Sequence, residues 1–171
     1  DMQAIPDQPR VINMTQHTYF NLDMSKTIAE HSLKINSQEV LALDKNSVPT
    51  NVNIFEEKSV FDFNNSSVIG NHLLKKHPQF NITRHLDHPF KISKYPITLS
   101  SPNKVIEVDI SSTEDFAVIY LANFFDKQYK FKRYDDANNH EMIAIEPQGL
   151  PNGINLGYDQ IYTPDKPYHH R

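Results

Sequence analysis

His17 is the first residue whose type and position could do chemistry. It follows the alternating stretch RVINMT (10–15) and comes just before Tyr19 and Phe20. A histidine at a predicted strand end beside aromatic residues has two interpretations. It is either a structural residue with satisfied hydrogen bonds or a proton donor above a flat ligand, because its unperturbed pKa lies close to neutral pH. The pattern by itself leaves both open.

Two carboxylates occur in comparable positions. Glu146 ends the apolar stretch MIAIE (142–146), and Pro147 is predicted to terminate that strand. Glu146 would then either cap a turn or lie at the mouth of a cavity, where partial burial raises a carboxyl pKa and makes a useful base. Asp87 precedes His88-Pro89 and has the same two interpretations, a turn-forming residue or a carboxylate that orients a ligand.

The other histidines indicate no site by themselves. His85 and His88 are three residues apart, which would suit a metal ion on a helix, but Pro89 disfavours a helix there. A metal site is therefore the less favoured interpretation. The terminal pair 169–170 is predicted to lie at the surface or to be frayed. Four further histidines have polar neighbours in sequence and are predicted to lie at the surface: His31, His72, His77 and His140.

The elements that must position these side chains are predicted to be strands. Turn-forming residues separate them, including a predicted turn at 135–136. One helix is predicted over 65–76, with serines at its start and lysines in its last turn. Short strands with a single short helix predict an all-β antiparallel sandwich, in one domain over 1–171. The predicted strands are 10–15, 31–37, 40–43, 51–55, 89–93, 104–111, 116–122 and 142–146.

Composition excludes several classes of protein. The net charge is −4, from 17 basic and 21 acidic residues, and no long run carries one sign, so nucleic acid and anionic membranes are poor candidates for partners. The lack of cysteine excludes disulfides and cysteine catalysis and fits a cytoplasmic protein. Only four glycines occur, and none forms a phosphate-binding loop or a nucleophile elbow. The longest apolar stretch, 116–125, is too short to span a bilayer.

Four segments considered together suggest a family. They are AIPDQPRVINMTQHTYFNL (4–22), LDHPF (86–90), IYLANFF (119–125) and IEPQGLPNGIN (145–155). In order and approximate spacing they resemble the aldose 1-epimerases, the galactose mutarotases, and the resemblance covers nearly all of the chain. It implies part of that family's large β-sandwich. It also implies a monosaccharide substrate such as galactose or glucose, and no metal or other cofactor.

The resemblance assigns roles to individual residues. His17 matches the family's general acid, and Glu146 matches its general base. Asp87 matches the aspartate that hydrogen-bonds a sugar hydroxyl. Further residues are implied to shape or contact the sugar site: Tyr19, Gln148 and Asn155.

Mutarotation suits an acid and a base without a metal. The reaction removes a proton from the anomeric hydroxyl and gives one to the ring oxygen, and the ring then opens and recloses on the other face. Ionised Glu146 would take the proton and protonated His17 would donate one, with the roles reversed on closure. The two groups are expected on opposite sides of the sugar.

The resemblance covers only the C-terminal portion of the family's pattern. Nothing in the chain matches the family's N-terminal half, which supplies an arginine and another histidine to the sugar, and the chain ends at PYHHR (167–171), before the expected final strand. The expectation is a piece with an incomplete sugar clamp and exposed sheet edges. Such edges would pair with the missing half or with another copy.

Two alternatives remain at this stage. The first is an epimerase of the same superfamily that acts on sugar phosphates, which would need additional basic residues near the cleft. Arg84 and Lys91 lie near Asp87 in the sequence. The second is a non-catalytic carbohydrate-binding β-sandwich, against which the presence of both His17 and Glu146 counts.

Overall fold

The computed structural model describes residues 1–92, 94–128, 130 and 137–171. Short strands dominate these residues, as the sequence predicts. In chain order the elements are β1 (Met2–Ala4), β2 (Arg10–Val11), β3 (Tyr19–Phe20), β4 (Ser32–Lys34), β5 (Leu41–Leu43), β6 (Pro49–Asn53), β7 (Ser67–Val68), α1 (Ile69–Leu73), α2 (Phe80–Thr83), β8 (Asp87–Lys91), β9 (Ile97–Ser100), β10 (Glu107–Ile110), β11 (Phe116–Tyr120), β12 (Ile143–Gln148), a 3₁₀ helix (Gly153–Leu156), β13 (Ile161–Tyr162) and β14 (Tyr168–His170).

Two four-stranded antiparallel sheets contribute most of the core. One has the strand order β3-β12-β11-β8, and the other has the order β10-β9-β4-β7. Alternation along the strands gives each sheet one apolar face. Ile119 and Ile145 of the first sheet and Leu33 and Leu99 of the second are buried in a single hydrophobic cluster. The predicted all-β antiparallel architecture is confirmed.

Three two-stranded sheets complete the described fold, namely β1-β14, β13-β2 and β5-β6. Strand β14 pairs Tyr168 with Ala4 and His170 with Met2. Of the two alternatives predicted for the terminal histidines, fraying is therefore wrong for His170, whose ring also lies 3.3 Å from the Glu114 carboxylate, while His169 is exposed at the surface. No helix among the described residues is long and apolar enough to cross a membrane.

The helix predicted over 65–76 is much shorter in the structure. Ser67 and Val68 instead form β7, which pairs with β4, and the helix covers only Ile69–Leu73. A second helix, Phe80–Thr83, begins two residues after Pro78. The prediction of a single helix is therefore wrong, since strand pairing removes the first turn of the predicted helix and a proline-initiated turn adds another.

The strand that carries Glu146 extends farther than predicted. It runs from Ile143 to Gln148, so Pro147 does not end it. The carbonyl of Pro147 accepts a hydrogen bond from the Thr15 hydroxyl, which shows that this side of the strand faces the segment before β3. The N–H that proline lacks would point to the same side, away from β11, so the ladder with β11 is uninterrupted.

Five of the other strand predictions are correct in position but too long, whereas 51–55 and 89–93 have the right length and lie two residues after the observed β6 and β8. Several two- to four-residue strands were missed. The missed strands are β1, β3, β7, β9, β13 and β14. The last residue of the predicted strand 89–93 and the predicted turn at 135–136 lie outside the described residues.

Two of the histidines predicted at the surface are buried. His31 and His72 have 0% and 4% of their surface exposed. Nδ1 of His72 lies 2.9 Å from the Val60 carbonyl, and its ring stacks on Phe63 at 4.1 Å between centroids. Contacts with distant segments therefore bury these rings, whatever the polarity of their neighbours in sequence.

Candidate active site

The outer face of the sheet β3-β12-β11-β8 forms the floor of a cavity of about 630 Å³. The strand register explains which side chains face it. Val118 of β11 lies opposite Glu146 of β12, and Tyr120 lies opposite Asp87 of β8. The cavity is lined by His17, Tyr19, Asp87, Val118, Tyr120, Phe124, Phe125, Glu146, Gln148 and Pro151.

His17 reaches this face from the segment that precedes β3. Two side chains of that segment bond to the backbone beyond Glu146: Asn13 Nδ2 donates to the Gly149 carbonyl at 2.9 Å, and the Thr15 hydroxyl donates to the Pro147 carbonyl at 3.0 Å. These bonds hold the segment beside β12. The imidazole then packs against Tyr19, with 5.0 Å between ring centroids.

His17 and Glu146 are in direct contact. Nε2 of His17 lies 3.3 Å from Oε1 of Glu146. The histidine side chain is half exposed, at 51%, whereas the glutamate side chain is only 8% exposed. The two groups therefore stand side by side at the cavity wall, where the sequence argument expected them on opposite sides of a ligand.

Burial raises the pKa of Glu146 above its ordinary value, and the nearby Asp87 carboxylate raises it further. The His17 imidazole acts in the opposite direction and lowers the pKa of Glu146. A carboxylate with a raised pKa is a stronger base than a solvated one, and here it already has an imidazole partner. The pair can exchange protons with a bound molecule.

Asp87 is the first residue of β8 and supplies the second carboxylate. Burial raises the pKa of Asp87 to about 6, and His17 opposes this shift. The negative charge of Asp87 in turn raises the pKa of Glu146 in the same partly dehydrated cavity. The site is therefore suited to ligands that offer several hydroxyl groups as hydrogen-bond donors.

Aromatic rings form the rest of the cavity wall. Tyr19 lies 6.3 Å from Tyr120 and 5.3 Å from Phe125 between ring centroids, both in edge-to-face geometry. Phe124 is 38% exposed at the rim, and the Arg84 guanidinium lies 4.9 Å from its ring centroid. Flat apolar rings beside carboxylates suit a ligand with one apolar and one hydroxylated face, as in a pyranose.

The rim residue Phe124 packs against the guanidinium of Arg84, which also forms an ion pair with Asp126. Arg84 Nη1 donates to Oδ2 of Asp126, and Asn139 Nδ2 donates to the other carboxylate oxygen at 2.8 Å. Arg84 thus engages both the ring of Phe124 and the carboxylate two residues later. These contacts limit the positions available to the rim.

A family model described as aldose 1-epimerase matches residues 1–171. The chain belongs to the aldose 1-epimerase family. The fold agrees with this assignment, because a solved galactose 1-epimerase from Lactobacillus acidophilus NCFM superposes with a TM-score of 0.82 at 24% identity, over 98% of this chain and 49% of that one.

Curated relatives in the family show the same coverage. A galactose mutarotase from Mus musculus is 27% identical over 179 residues, which cover 98% of this chain and 50% of the relative. An aldose 1-epimerase from Haemophilus influenzae is 26% identical over 158 residues, which cover 87% of this chain and 45% of the relative. The chain therefore spans about half the length of the curated relatives it matches.

The structure brings most of the residues named from the family resemblance to one cavity. Gln148 lines it, with Nε2 donating to the Glu146 backbone carbonyl at 3.4 Å. Asn155 does not line it; its side chain is exposed on the 3₁₀ helix and donates to Asn152 Oδ1 at 2.7 Å. Tyr19 lines the cavity together with His17 and Glu146.

Sequence reasoning missed several lining residues. Val118 and Tyr120 could have been found from strand alternation, since they stand two residues apart on one face of β11. Phe124 and Phe125 follow that strand in a turn and gave no such periodic signal. In the described ranges, no group of three or more histidine, aspartate or glutamate side chains is arranged to hold a metal ion.

Proposed function

We propose that the chain catalyses, as part of an aldose 1-epimerase, the interconversion of α and β anomers of a free aldohexose such as galactose or glucose. The observation that supports this most directly is the 3.3 Å contact between His17 and Glu146 at the wall of one cavity. Family membership and the second carboxylate, Asp87, agree with it.

The side-by-side arrangement fits the reaction. The anomeric hydroxyl and the ring oxygen of an aldohexose are attached to the same carbon. An acid and a base a few ångströms apart can therefore reach both oxygens from one side of that carbon. In this proposal Glu146 removes the anomeric proton while His17 protonates the ring oxygen, the C1–O5 bond breaks, and the aldehyde forms.

Ring closure reverses these steps. Rotation about the C1–C2 bond presents the other face of the aldehyde to the O5 hydroxyl. His17 takes the proton from O5 as the ring closes, and Glu146 returns its proton to the carbonyl oxygen. No atom is gained or lost, and both groups return to their starting protonation states.

Asp87, Gln148 and Tyr19 are proposed to contact the sugar hydroxyls. The buried carboxylate of Asp87 is an acceptor for one or two hydroxyls, and the amide of Gln148 can donate or accept. Asn155 is not among the described cavity-lining residues, so its proposed role is indirect: its side chain bonds to Asn152 and helps to fix the shape of the connection between β12 and β13, to which both residues belong.

The sugar-phosphate alternative has less support. The cavity lining in the described part of the chain includes no lysine or arginine. Arg84 is engaged with Asp126 and Phe124, and Lys91 forms an ion pair with Glu39. A phosphate would have to compete with those carboxylates for each cation.

The chain is further proposed to be the C-terminal portion of a mutarotase sandwich that pairs with a second half or with another copy. Its coverage of about half of each relative supports this. Strand β3 is an edge of the site-bearing sheet and is a candidate for such pairing. The other edge strand, β8, is already bridged to Val40 through Phe90. Sedimentation velocity over a range of concentrations tests self-association. A cytoplasmic location stays a prediction.

Polarimetry of freshly dissolved α-galactose and α-glucose tests the proposed activity. The chain is measured alone and together with the N-terminal half of a relative. We expect faster approach to the equilibrium rotation, reduced about 10²- to 10⁴-fold by Glu146→Gln or His17→Ala. The exposed-site variants Glu57→Gln and His169→Ala are controls that should retain the wild-type rate. Sugar binding without acceleration in either sample would instead favour the carbohydrate-binding alternative.

A further inference from the structure

Gln79 and His88 form a partly buried hydrogen-bonded chain that ends at the backbone of Asp87. His88 is the residue after Asp87 in β8, and none of its surface is exposed. Its Nδ1 accepts a hydrogen bond from the Asp87 N–H at 3.1 Å, and its Nε2 lies 3.2 Å from Oε1 of Gln79. Gln79 is the residue before helix α2 and is not among the residues that line the cavity.

The far end of this chain is fixed in a different sheet. The Gln79 amide makes two bonds to Leu43 of β5: Oε1 accepts from the Leu43 N–H at 2.7 Å, and Nε2 donates to the Leu43 carbonyl at 3.2 Å. Leu43 is itself buried. A side-chain amide that pairs with both backbone groups of one buried residue has a single orientation.

Each bond along the chain has a defined direction. A backbone N–H can only donate, so Nδ1 of His88 carries no proton, and the neutral ring must carry its proton on Nε2. That proton points to Oε1 of Gln79, whose orientation is already set by Leu43. Burial, together with His77 and His85, lowers the pKa of His88 to about 3, so the ring stays neutral.

Aromatic packing prevents the His88 ring from turning. Its centroid lies 5.1 Å from that of Phe61 and 6.3 Å from that of Phe80. Asp87 and His88 are consecutive in β8, so their side chains lie on opposite faces of the sheet, and Asp87 lies on the face that forms the cavity. The backbone N–H of Asp87 is thus bonded to a ring that cannot move without breaking its hydrogen bond to Gln79.

We infer that His88 and Gln79 are positioning residues that set the place of the Asp87 carboxylate in the cavity. An aspartate carboxylate is only two rotatable bonds from the backbone, so its location follows the backbone closely. Displacements of about 1 Å in a binding group are enough to weaken its contacts. This inference rests on the proposed function, in which Asp87 binds a sugar hydroxyl.

Steady-state kinetics with matched variants test the inference in the sample that is active by polarimetry. His88→Leu removes both ring bonds, and we expect it to raise KM about tenfold, the factor for losing a hydrogen bond to a charged group, with kcat changed much less. His88→Asn keeps an acceptor where Nδ1 stands, so it should recover part of the wild-type KM. His72→Leu is the control, because His72 is also buried against a phenylalanine ring but bonds to the Val60 carbonyl and not to Asp87.

The outcomes separate the inference from the proposed function. If Asp87→Asn raises KM and His88→Leu behaves like His72→Leu, the positioning role is wrong and the proposed sugar contact stands. If Asp87→Asn leaves KM unchanged, the proposed contact fails, and the positioning role fails with it. A further readout does not need activity: nitrogen-15 NMR at pH 7 should show His88 as a single tautomer protonated at Nε2, and protonation at Nδ1 would overturn the inference.

Discussion

Two buried histidines are expected to make this protein less stable in mild acid. Burial lowers the pKa of His85 to about 4 and that of His88 to about 3, and neighbouring histidines add to both shifts. In the unfolded chain both rings regain the ordinary value near 6.5. The unfolded state then binds protons that the folded state excludes. The stability that these two neutral rings contribute is fully present above about pH 6.5. It is lost as the pH falls toward their pKa values in the folded state.

The size of the effect follows from proton linkage. Between pH 7 and pH 5, each histidine that stays neutral in the folded state lowers the free energy of unfolding by about 2 kcal/mol, and the pair by about 4 kcal/mol. Asp87 acts in the opposite direction, because its raised pKa of about 6 lets the folded state bind a proton in this interval. That gain is about 1 kcal/mol. For these three groups together the loss is about 3 kcal/mol, a large part of the stability of an ordinary domain. Burial also lowers the pKa values of His31, His72 and His77, which act in the same direction.

Urea unfolding at pH 7, 6 and 5 measures this dependence. His85→Leu should be less stable than the wild type at pH 7, but its free energy of unfolding should fall by about 2 kcal/mol less between pH 7 and pH 5. His169→Leu alters an exposed side chain and should keep the wild-type pH dependence. Equal losses for the wild type and His85→Leu would refute the linkage, because they would show that His85 titrates alike in both states.

Three further predictions follow from individual contacts. Asp87→Asn removes a charge that raises the pKa of Glu146, so the acid limb of the pH profile of kcat/KM should move to lower pH; an unmoved limb would contradict the coupling. Asn123→Ala removes two amide bonds to buried carbonyls, at 2.8 and 2.9 Å, and should lower the free energy of unfolding by about 2 kcal/mol in urea titrations. Phe63→Ala should lower it by about 3–5 kcal/mol, since the ring is fully buried, and a loss under about 1 kcal/mol would show that the core refills the space.

The sequence predicted the class of fold and the neighbourhood of His17, Asp87 and Glu146, although these residues are far apart in the chain. That prediction came from a family resemblance, because each residue by itself also had an ordinary structural interpretation. Alternation explains why Val118 and Glu146 share a face once their strands are paired. The side-by-side contact of His17 with Glu146 could not be predicted, since it depends on how Asn13 and Thr15 attach one segment to the end of another strand.

The histidines show why other predictions failed. His31 and His72 were judged from their neighbours in sequence, whereas other segments of the chain set their environment. Nδ1 of His72 is paired with the Val60 carbonyl, and Nε2 of His31 accepts a hydrogen bond from the Leu22 N–H at 3.0 Å. Such rings can be buried where backbone groups of other segments pair with one of their nitrogens. Two-residue strands such as β3 and β13 were missed for a similar reason, because pairing partners define them more than their own residues do.

The strand register also constrains how the length of this chain can change during evolution. Loss or gain of one residue inside β12 would turn every following side chain to the opposite face. Glu146 would then point into the apolar core and Ile145 into the cavity, so a single deletion would damage folding and chemistry together. We expect insertions and deletions among relatives to be absent from β8, β11 and β12 and to accumulate in exposed connections such as 56–59, where a changed length leaves both faces of the sheet intact.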